Sequence, residues 1–288
     1  MKYPVHAMLI AGLLLGGCAV QRFGASAMLM PPEGTELPIH VRAGLFLLPT
    51  HFAGDPEEHW LLLDTGTDRA LLDVRLAASL GLKLGSRTAI IAATGSEVSA
   101  QLLPPLPSLR MGSVIFHNVE AAAMDLQTLR DNTMLPIEGI LGCDLFRNCL
   151  LEIDVAGRRV SLRPLSMLPD EPPIYFTSRV PVVQASFAGK PIEILIDTGF
   201  QSLLALPSEA SITWRMRPRR TGELATLDGK AEHGSGRAQG ELRLGSLSFM
   251  DPWVTLTKGQ PKLGLRALRN SLFTLDAAGG RVWIGLRR

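Results

Sequence analysis

The chain has 288 residues, of which 46% are hydrophobic and 19% are charged, and its formal net charge is +2. This composition provides a core for one large domain or two small ones and argues against global disorder. A net charge so close to zero does not indicate nucleic acid as a partner. The histidines are scattered and the chain has no CxxC or HExxH motif, so we expect no metal site.

The first 17 residues have the features of a secretory signal peptide. Lys2 gives a positive start, and the apolar stretch Ala7–Leu15 is shorter than the roughly 20 residues that a membrane-spanning helix needs. The stretch ends in "LGGC", residues 15–18, which resembles the lipobox of bacterial lipoproteins. That resemblance implies cleavage before Cys18 and lipidation of its thiol. The alternative is an ordinary signal peptide with a chance cysteine.

The resemblance to lipoproteins also implies a location. Ala19 follows the cysteine, and a residue other than Asp at this place favours the outer membrane of the bacterial cell envelope. Residues 18–35 are rich in Met, Pro and Gly, and we interpret them as the lipidated cysteine and its tether. Fully extended, this tether would reach roughly 60 Å at about 3.3–3.6 Å per residue. We therefore expect a lipid-anchored protein that faces the periplasm.

Short strands separated by turn residues dominate the chain after the tether, which predicts an all-β fold with few short helices. The opening segment, residues 37–66, predicts a strand, a turn and a second strand that ends at Asp64. Clear helical periodicity is confined to Arg69–Leu80, and a second, short helix is expected at Asp144–Asn148. Further strands are predicted at Ala89–Ala92, Val114–His117, Val160–Leu162, Leu242–Leu244 and Arg281–Ile284.

The chain contains an internal repeat. "LFRNCLLEIDVAGRRV" at residues 145–160 corresponds without a gap to "ALRNSLFTLDAAGGRV" at residues 267–282, and "LLLDTGT" at 61–67 corresponds to "ILIDTGF" at 194–200. Four prolines and two acidic residues at residues 164–173 indicate a connector. The sequence therefore predicts two similar lobes, residues 36–165 and 174–288, joined by a linker at residues 166–173.

Two cysteines, Cys143 and Cys149, lie within the predicted lobes. An oxidising compartment permits a disulfide between them. They are six residues apart across the predicted short helix, however, so our interpretation is two buried thiols, with the disulfide left as the alternative.

The repeated Asp-Thr-Gly predicts paired carboxyl chemistry. A pseudo-twofold relation between the lobes would bring Asp64 and Asp197 together, and like charges about 3 Å apart repel by roughly 5 kcal/mol at an effective dielectric near 20. The pair would therefore share one proton, so that one carboxylate activates a water and the other donates to a substrate carbonyl, the division of labour described for aspartic proteases. The hydroxyls of Thr65 and Thr198 are placed to brace the two loops across the axis. Gly66 and Gly199 would leave room at its centre.

These motifs resemble those of the pepsin/retropepsin-like aspartic proteases, and in particular the bacterial retropepsin-like group. The segment "LGLKLG" at residues 80–85 and "GILGCDLF" at 139–146 are similar to the segments that follow the first DTG in that family. The resemblance covers residues 36–287. It implies a bilobal fold of two related closed-barrel-like β lobes with pseudo-twofold symmetry. It also implies flap hairpins whose turns carry substrate-binding residues, namely Thr94, Gly95, Asp228 and Gly229.

The second half departs from the family pattern at two positions. Phe200 follows its DTG where Thr67 stands in the first half, and it could narrow the cleft, fill a subsite or cap one carboxylate. Lys262 precedes Leu263 and Gly264 where an apolar residue is usual. These departures leave open a catalytically weak or inactive protease-like lipoprotein that binds peptides. Two further hypotheses are that the two aspartates are structural residues of β-turns and that the protein is a purely structural envelope lipoprotein.

We therefore predict an aspartic endopeptidase of the cell envelope with an acidic pH optimum. Because both half-sites lie in one chain we expect a monomer, and because the nucleophile is water we expect no cofactor. Its partners would be an extended peptide or protein substrate and, through the lipid on Cys18, the membrane. The predicted site comprises the catalytic Asp64 and Asp197, the supporting Thr65, Gly66, Thr67, Thr198 and Gly199, and the substrate-binding Thr94, Gly95, Phe200, Asp228 and Gly229.

Overall fold

The computed structural model describes residues 25–91, 96–226 and 229–286. Half of the structure is strand and 7% is helix, which confirms the predicted all-β fold with few short helices. None of the helices within these ranges is long and apolar enough to cross a membrane. Four predicted functional residues lie outside the described residues: Cys18, Thr94, Gly95 and Asp228.

The first half of the chain forms an eleven-stranded sheet, which we call the N-terminal sheet. With strands numbered in chain order through the whole molecule, it contains β1 (Ala27–Leu29), β3 (His40–Arg42), β4 (Leu45–Phe52), β5 (His59–Leu63), β6 (Ala70–Asp73), β7 (Arg87–Ile91), β8 (Glu97–Leu102), β9 (Leu106–Met111), β10 (Val114–Val119), β11 (Ala121–Met124) and β12 (Gly139–Leu141).

The second half forms a nine-stranded sheet, the C-terminal sheet. It contains β16 (Val182–Phe187), β17 (Lys190–Ile196), β18 (Leu204–Pro207), β19 (Trp214–Thr226), β20 (Gly229–Ala238), β21 (Glu241–Leu244), β22 (Leu247–Met250), β23 (Trp253–Thr257) and β24 (Lys262–Leu263). The two sheets share one unusual arrangement. In the first, β12 lies between β5, to which it is parallel, and β6, to which it is antiparallel. In the second, β24 lies in the same way between β17 and β18.

A third sheet of six strands joins the two halves, and we call it the shared sheet. It contains β2 (Thr35–Glu36), β13 (Leu150–Asp154), β14 (Arg159–Arg163), β15 (Ile174–Tyr175), β25 (Ser271–Asp276) and β26 (Arg281–Leu286). Its centre is the antiparallel pair β13 and β25. These are the strands of the repeated segments, so each repeat forms a hairpin and the two hairpins lie side by side.

The repeated turn residues explain why those hairpins are alike. Asp154 accepts the backbone N–H of Gly157 at 2.7 Å, and Asp276 accepts that of Gly279 at 2.8 Å. A second oxygen of Asp276 binds the guanidinium of Arg281, at 2.8 Å from Nε and 2.6 Å from Nη2. The aspartate thus closes the turn and neutralises the arginine of the following strand.

Two expectations about the architecture need correction. The resemblance implied closed-barrel-like lobes, but barrel closure is not detected, and the strand orders of the described residues run between edge strands. The predicted helix Arg69–Leu80 is a strand, β6, followed by a single short helix, α1 (Val74–Ser79). The apolar residues at the start of that stretch pair with β11 on one side and with β12 on the other. Asp73 ends the strand, and its side chain caps the helix by accepting the backbone N–H of Arg75.

Two other short helical segments occur in the described part of the chain. The segment expected at Asp144–Asn148 is a 3₁₀ turn at Cys143–Phe146. Helix α2 (Gln127–Thr133) was not predicted, because one buried residue, Leu129, gives it no apolar periodicity.

Cys143 and Cys149 are two free, buried thiols, and no disulfide joins them. The thiol of Cys143 lies 3.2 Å from the backbone oxygen of Arg179, which belongs to the second half. Burial raises the pKa of Cys149 to about 12 and that of Cys143 well above its usual range. Both therefore stay protonated near neutral pH and act as small apolar residues of the core.

We predict that Asp276→Asn lowers the free energy of unfolding by about 2 kcal/mol, because a buried, charge-assisted interaction with Arg281 is lost. Urea unfolding followed by circular dichroism measures the change. Asp170→Asn, at an exposed position of the predicted linker, is the matched control and should unfold like the wild type. Equal stability of the two variants would contradict a structural role for the repeated turn.

Candidate active site

The two DTG loops begin at the ends of equivalent strands. Apolar residues at the end of β5 and of β17 are buried, and they lead directly into Asp64 and Asp197. The backbone N–H of Asp64 donates to Leu141 at 3.1 Å, and that of Asp197 donates to Leu263 at 2.9 Å. These acceptors end β12 and β24, so the inserted strand of each sheet holds the loop in the same position.

Hydrogen bonds between the two threonines tie the loops together. The hydroxyl of Thr65 donates to the backbone oxygen of Ile196 at 2.8 Å and accepts the backbone N–H of Thr198 at 3.1 Å. In the reverse direction, the hydroxyl of Thr198 donates to Leu63 at 3.0 Å and accepts the N–H of Thr65 at 3.0 Å. Both threonine side chains are fully buried. Four reciprocal hydrogen bonds therefore fix one half of the molecule against the other.

The glycine of each loop packs against the carboxyl of the other. A Cβ atom on Gly66 would lie 2.8 Å from Cγ of Asp197, and one on Gly199 would lie 2.8 Å from Cγ of Asp64. No real side chain tolerates such a contact, so only glycine allows the approach. The structure thus brings Asp64 and Asp197, which are 133 residues apart in sequence, to one place between the two sheets.

The carboxylate of Asp64 accepts two hydrogen bonds from residues of its own loop. The N–H of Gly66 donates to Oδ1 at 2.8 Å, and the hydroxyl of Thr67 donates to Oδ2 at 3.2 Å. Desolvation by the surrounding protein and the negative charge of Asp197 nevertheless raise its pKa to about 7. Asp64 therefore keeps its proton through most of the acidic range, although an ordinary aspartate ionises near pH 4.

Asp197 has a different environment, although its loop has the same backbone. Its Oδ2 lies 3.3 Å from Nζ of Lys262, and both residues are only 6% exposed. Its Oδ1 has no hydrogen-bond partner among the described residues. Phe200 occupies the place of Thr67, so the second loop has no hydroxyl to donate to the carboxylate.

Two hairpins contain the strands on either side of the predicted flap turns. In the first half β7 pairs with β8, and the pairs end at Ile91 and Glu97; Thr94 and Gly95 lie in the connection, outside the described residues. In the second half β19 pairs with β20 up to Thr226 and Gly229. This second hairpin contacts helix α2 of the first half. Four arginines of this hairpin, Arg215, Arg217, Arg219 and Arg220, belong to strand β19.

One ion pair near the site was not predicted from the sequence. Arg179, in the second half, donates to Asp68 at 3.3 Å, and Asp68 directly follows Thr67 in the first catalytic loop. Arg69 donates to the other carboxylate oxygen of Asp68 at 3.2 Å. No signal in the sequence could have found the pair, because its members are 111 residues apart and lie outside the repeated segments.

Comparison with known families gives one result for the first half. Residues 49–145 match the family model of an aspartyl protease. The match includes Asp64, its loop and β12, and it supports a protease-like function. No curated protein matches the chain significantly. Within the described ranges, no group of three or more His, Cys, Asp and Glu side chains is placed to hold a metal ion.

We predict that Thr198→Val lowers the free energy of unfolding by roughly 2–4 kcal/mol, because it leaves the buried N–H of Thr65 and the buried oxygen of Leu63 without partners. Denaturant unfolding measures this loss. Thr198→Ser keeps the hydroxyl and is the matched control, with a much smaller expected loss. A valine variant as stable as the serine variant would show that these hydrogen bonds do not hold the loops together.

Proposed function

We propose that the protein is an aspartic endopeptidase in which Asp64 and Asp197 together activate one water molecule. The observation that carries the proposal is the meeting of the two carboxyls, each above the glycine of the opposite loop. The raised pKa of Asp64 supports it, because a carboxyl that stays protonated beside a second carboxyl can act as an acid. The aspartyl protease match of residues 49–145 agrees with the same chemistry.

The reaction follows from one proton shared between two carboxyls. A water molecule held by the pair loses a proton to the ionised carboxylate and attacks the carbonyl carbon of the peptide bond. The protonated carboxyl donates to the carbonyl oxygen at the same time, which gives a neutral tetrahedral diol. The peptide nitrogen then receives that proton from the pair, and a hydroxyl of the diol gives its own proton back to the pair. The C–N bond breaks, an amine and a carboxylic acid leave, and the dyad is again singly protonated. The chain needs no other catalytic group for these steps.

The substrate in this proposal lies extended in the cleft between the two sheets. Hairpins β7–β8 and β19–β20 would cover it, and backbone hydrogen bonds of the strand type would hold it. Phe200 follows the second DTG and is partly exposed, so we propose that its ring contributes to a substrate subsite. Thr94, Gly95, Asp228 and Gly229 are proposed to contact the substrate from the turns of the hairpins.

We further propose that the protein acts as a monomer on the periplasmic side of the outer membrane, anchored by lipid on Cys18. The lipobox-like sequence before Cys18 and the residue Ala19 support this location. The tether formed by residues 18–35 would let the protease work clear of the bilayer. Natural substrates in this setting would be peptides or envelope proteins with an accessible extended segment.

A protease-like protein that binds peptides without cutting them is the second candidate function. The contact between Lys262 and Asp197 is the observation that favours it, because a strong ion pair can compete with the water for the carboxylate. Both candidates predict peptide binding in the same cleft. They differ only in whether the bound peptide is hydrolysed.

We predict that the soluble form without residues 1–18 cleaves peptides from a mixed library, and that Asp64→Asn and Asp197→Asn each abolish cleavage. Mass spectrometry across pH 4–8, with and without a statine-type transition-state mimic, gives the products and the specificity. Activity should fall as the pH rises through about 7, because Asp64 then loses the proton that it donates.

Two controls separate the candidate functions. Asp170→Asn, at the exposed linker position, should cut like the wild type and exclude a general effect of removing a carboxylate. Binding of the same peptides is measured in parallel by fluorescence anisotropy. Peptides that bind the wild type but remain uncut at every pH would contradict the protease and support the peptide-binding protein.

A further inference from the structure

Lys262 occupies a position where the first half has an apolar residue. In the inserted strand of the N-terminal sheet, Ile140 pairs with Leu62 of β5; in the inserted strand of the C-terminal sheet, Lys262 pairs with Leu195 of β17. Leu62 and Leu195 each stand two residues before the catalytic aspartate of their half. Strand register therefore makes Lys262 the structural equivalent of Ile140, which is 1% exposed.

Burial of a lysine here requires a compensating charge. Lys262 is 6% exposed, and the only ion pair that it forms among the described residues is the one with Asp197, at 3.3 Å. The strands on either side of it, β17 and β18, present Leu195 and Ala205 to it in the sheet. The charged residues of β17, Lys190 and Glu193, lie at its exposed far end. An isolated buried ammonium is unfavourable, so the ion pair with Asp197 is what permits it.

The hydrogen-bond partners of the two catalytic carboxyls also differ. Asp64 accepts hydrogen bonds from Gly66 and Thr67, whereas Asp197 has an ammonium on one oxygen and no partner among the described residues on the other. A carboxylate oxygen that no donor of its own loop holds, beside one paired with a cation, suits a base that must take a proton from water. The two halves of the dyad are thus chemically unequal, although their backbones are equivalent.

We propose that Lys262 is a positioning residue that keeps Asp197 ionised and so assigns the shared proton to Asp64. This proposal rests on the proposed endopeptidase function. Asp197 is then the base that activates the water, and Asp64 is the acid that donates to the carbonyl oxygen. In this role the lysine acts through the charge of Asp197.

A change in the pH dependence follows from the charges around the pair. Asp197 and Lys262 are the charged groups that act on Asp64, and the positive charge of Lys262 lowers its pKa while the carboxylate of Asp197 raises it. Without the lysine, the singly protonated dyad would carry an uncompensated negative charge. Loss of the positive charge would then shift the ionisation of the pair to higher pH.

The test compares the wild type with Lys262→Met and with Lys262→Ile, which reproduces the residue of the first half. In a pH profile of kcat/KM for a cleaved peptide, we expect the acidic limb to move to higher pH by about one unit or more in both variants. The alkaline limb should move in the same direction by less. Lys258→Met removes an exposed lysine of the same segment and should leave both limbs in place. An unchanged acidic limb in a folded Lys262 variant would overturn the proposal.

A second measurement does not depend on catalysis. Carbon-13 NMR of the aspartate carboxyls, assigned with Asp64→Asn and Asp197→Asn, shows which carboxyl of the wild type takes up its proton first as the pH falls. We expect Asp64 to be protonated first, and we expect the two titrations to approach each other in Lys262→Met. Protonation of Asp197 before Asp64 in the wild type would overturn the proposal even for a protein that cuts no peptide. The absence of cleavage with the expected titration order would instead contradict the endopeptidase function alone.

Discussion

The reciprocal hydrogen bonds of Thr65 and Thr198 are the interaction on which the rest of the site depends. They join two loops from different halves of the chain, and every group involved is buried, so none of these bonds can be exchanged for water. Only with the loops fixed in this way can each glycine lie against the carboxyl of the other half. The two carboxyls are then held close enough that one of them must keep a proton, which is the property that aspartic proteolysis uses.

The two halves of the site have equivalent backbones, but different side chains surround their two carboxyls. Both halves insert a strand beside the one that delivers the aspartate, and both loops make the same backbone hydrogen bonds. The side chains around the two carboxyls nevertheless differ, with Thr67 in one half and Phe200 and Lys262 in the other. A duplicated scaffold can in this way supply an acid and a base from two copies of the same motif, because the environment of each carboxyl determines its role.

The sequence predicts those features that depend on local pattern or on repetition. The repeat around Asp154 and Asp276 anticipates two similar hairpins, and the doubled DTG anticipates two loops that meet. The sequence could not predict that the segment after Arg69 begins as a strand, since three apolar residues between two neighbouring strands look the same as one face of a helix. It flagged Lys262 as unusual but gave no partner for it, because the contact with Asp197 depends on how strands distant in sequence pair.

The most direct test of this account is a crystal structure of the soluble protein with a statine-type compound bound. We predict that the statine hydroxyl lies within hydrogen-bonding distance of the carboxyls of both Asp64 and Asp197, with the peptide extended between the two sheets beneath the hairpins. A compound bound elsewhere, or a hydroxyl in contact with neither carboxyl, would contradict the claim that these two residues form one catalytic pair.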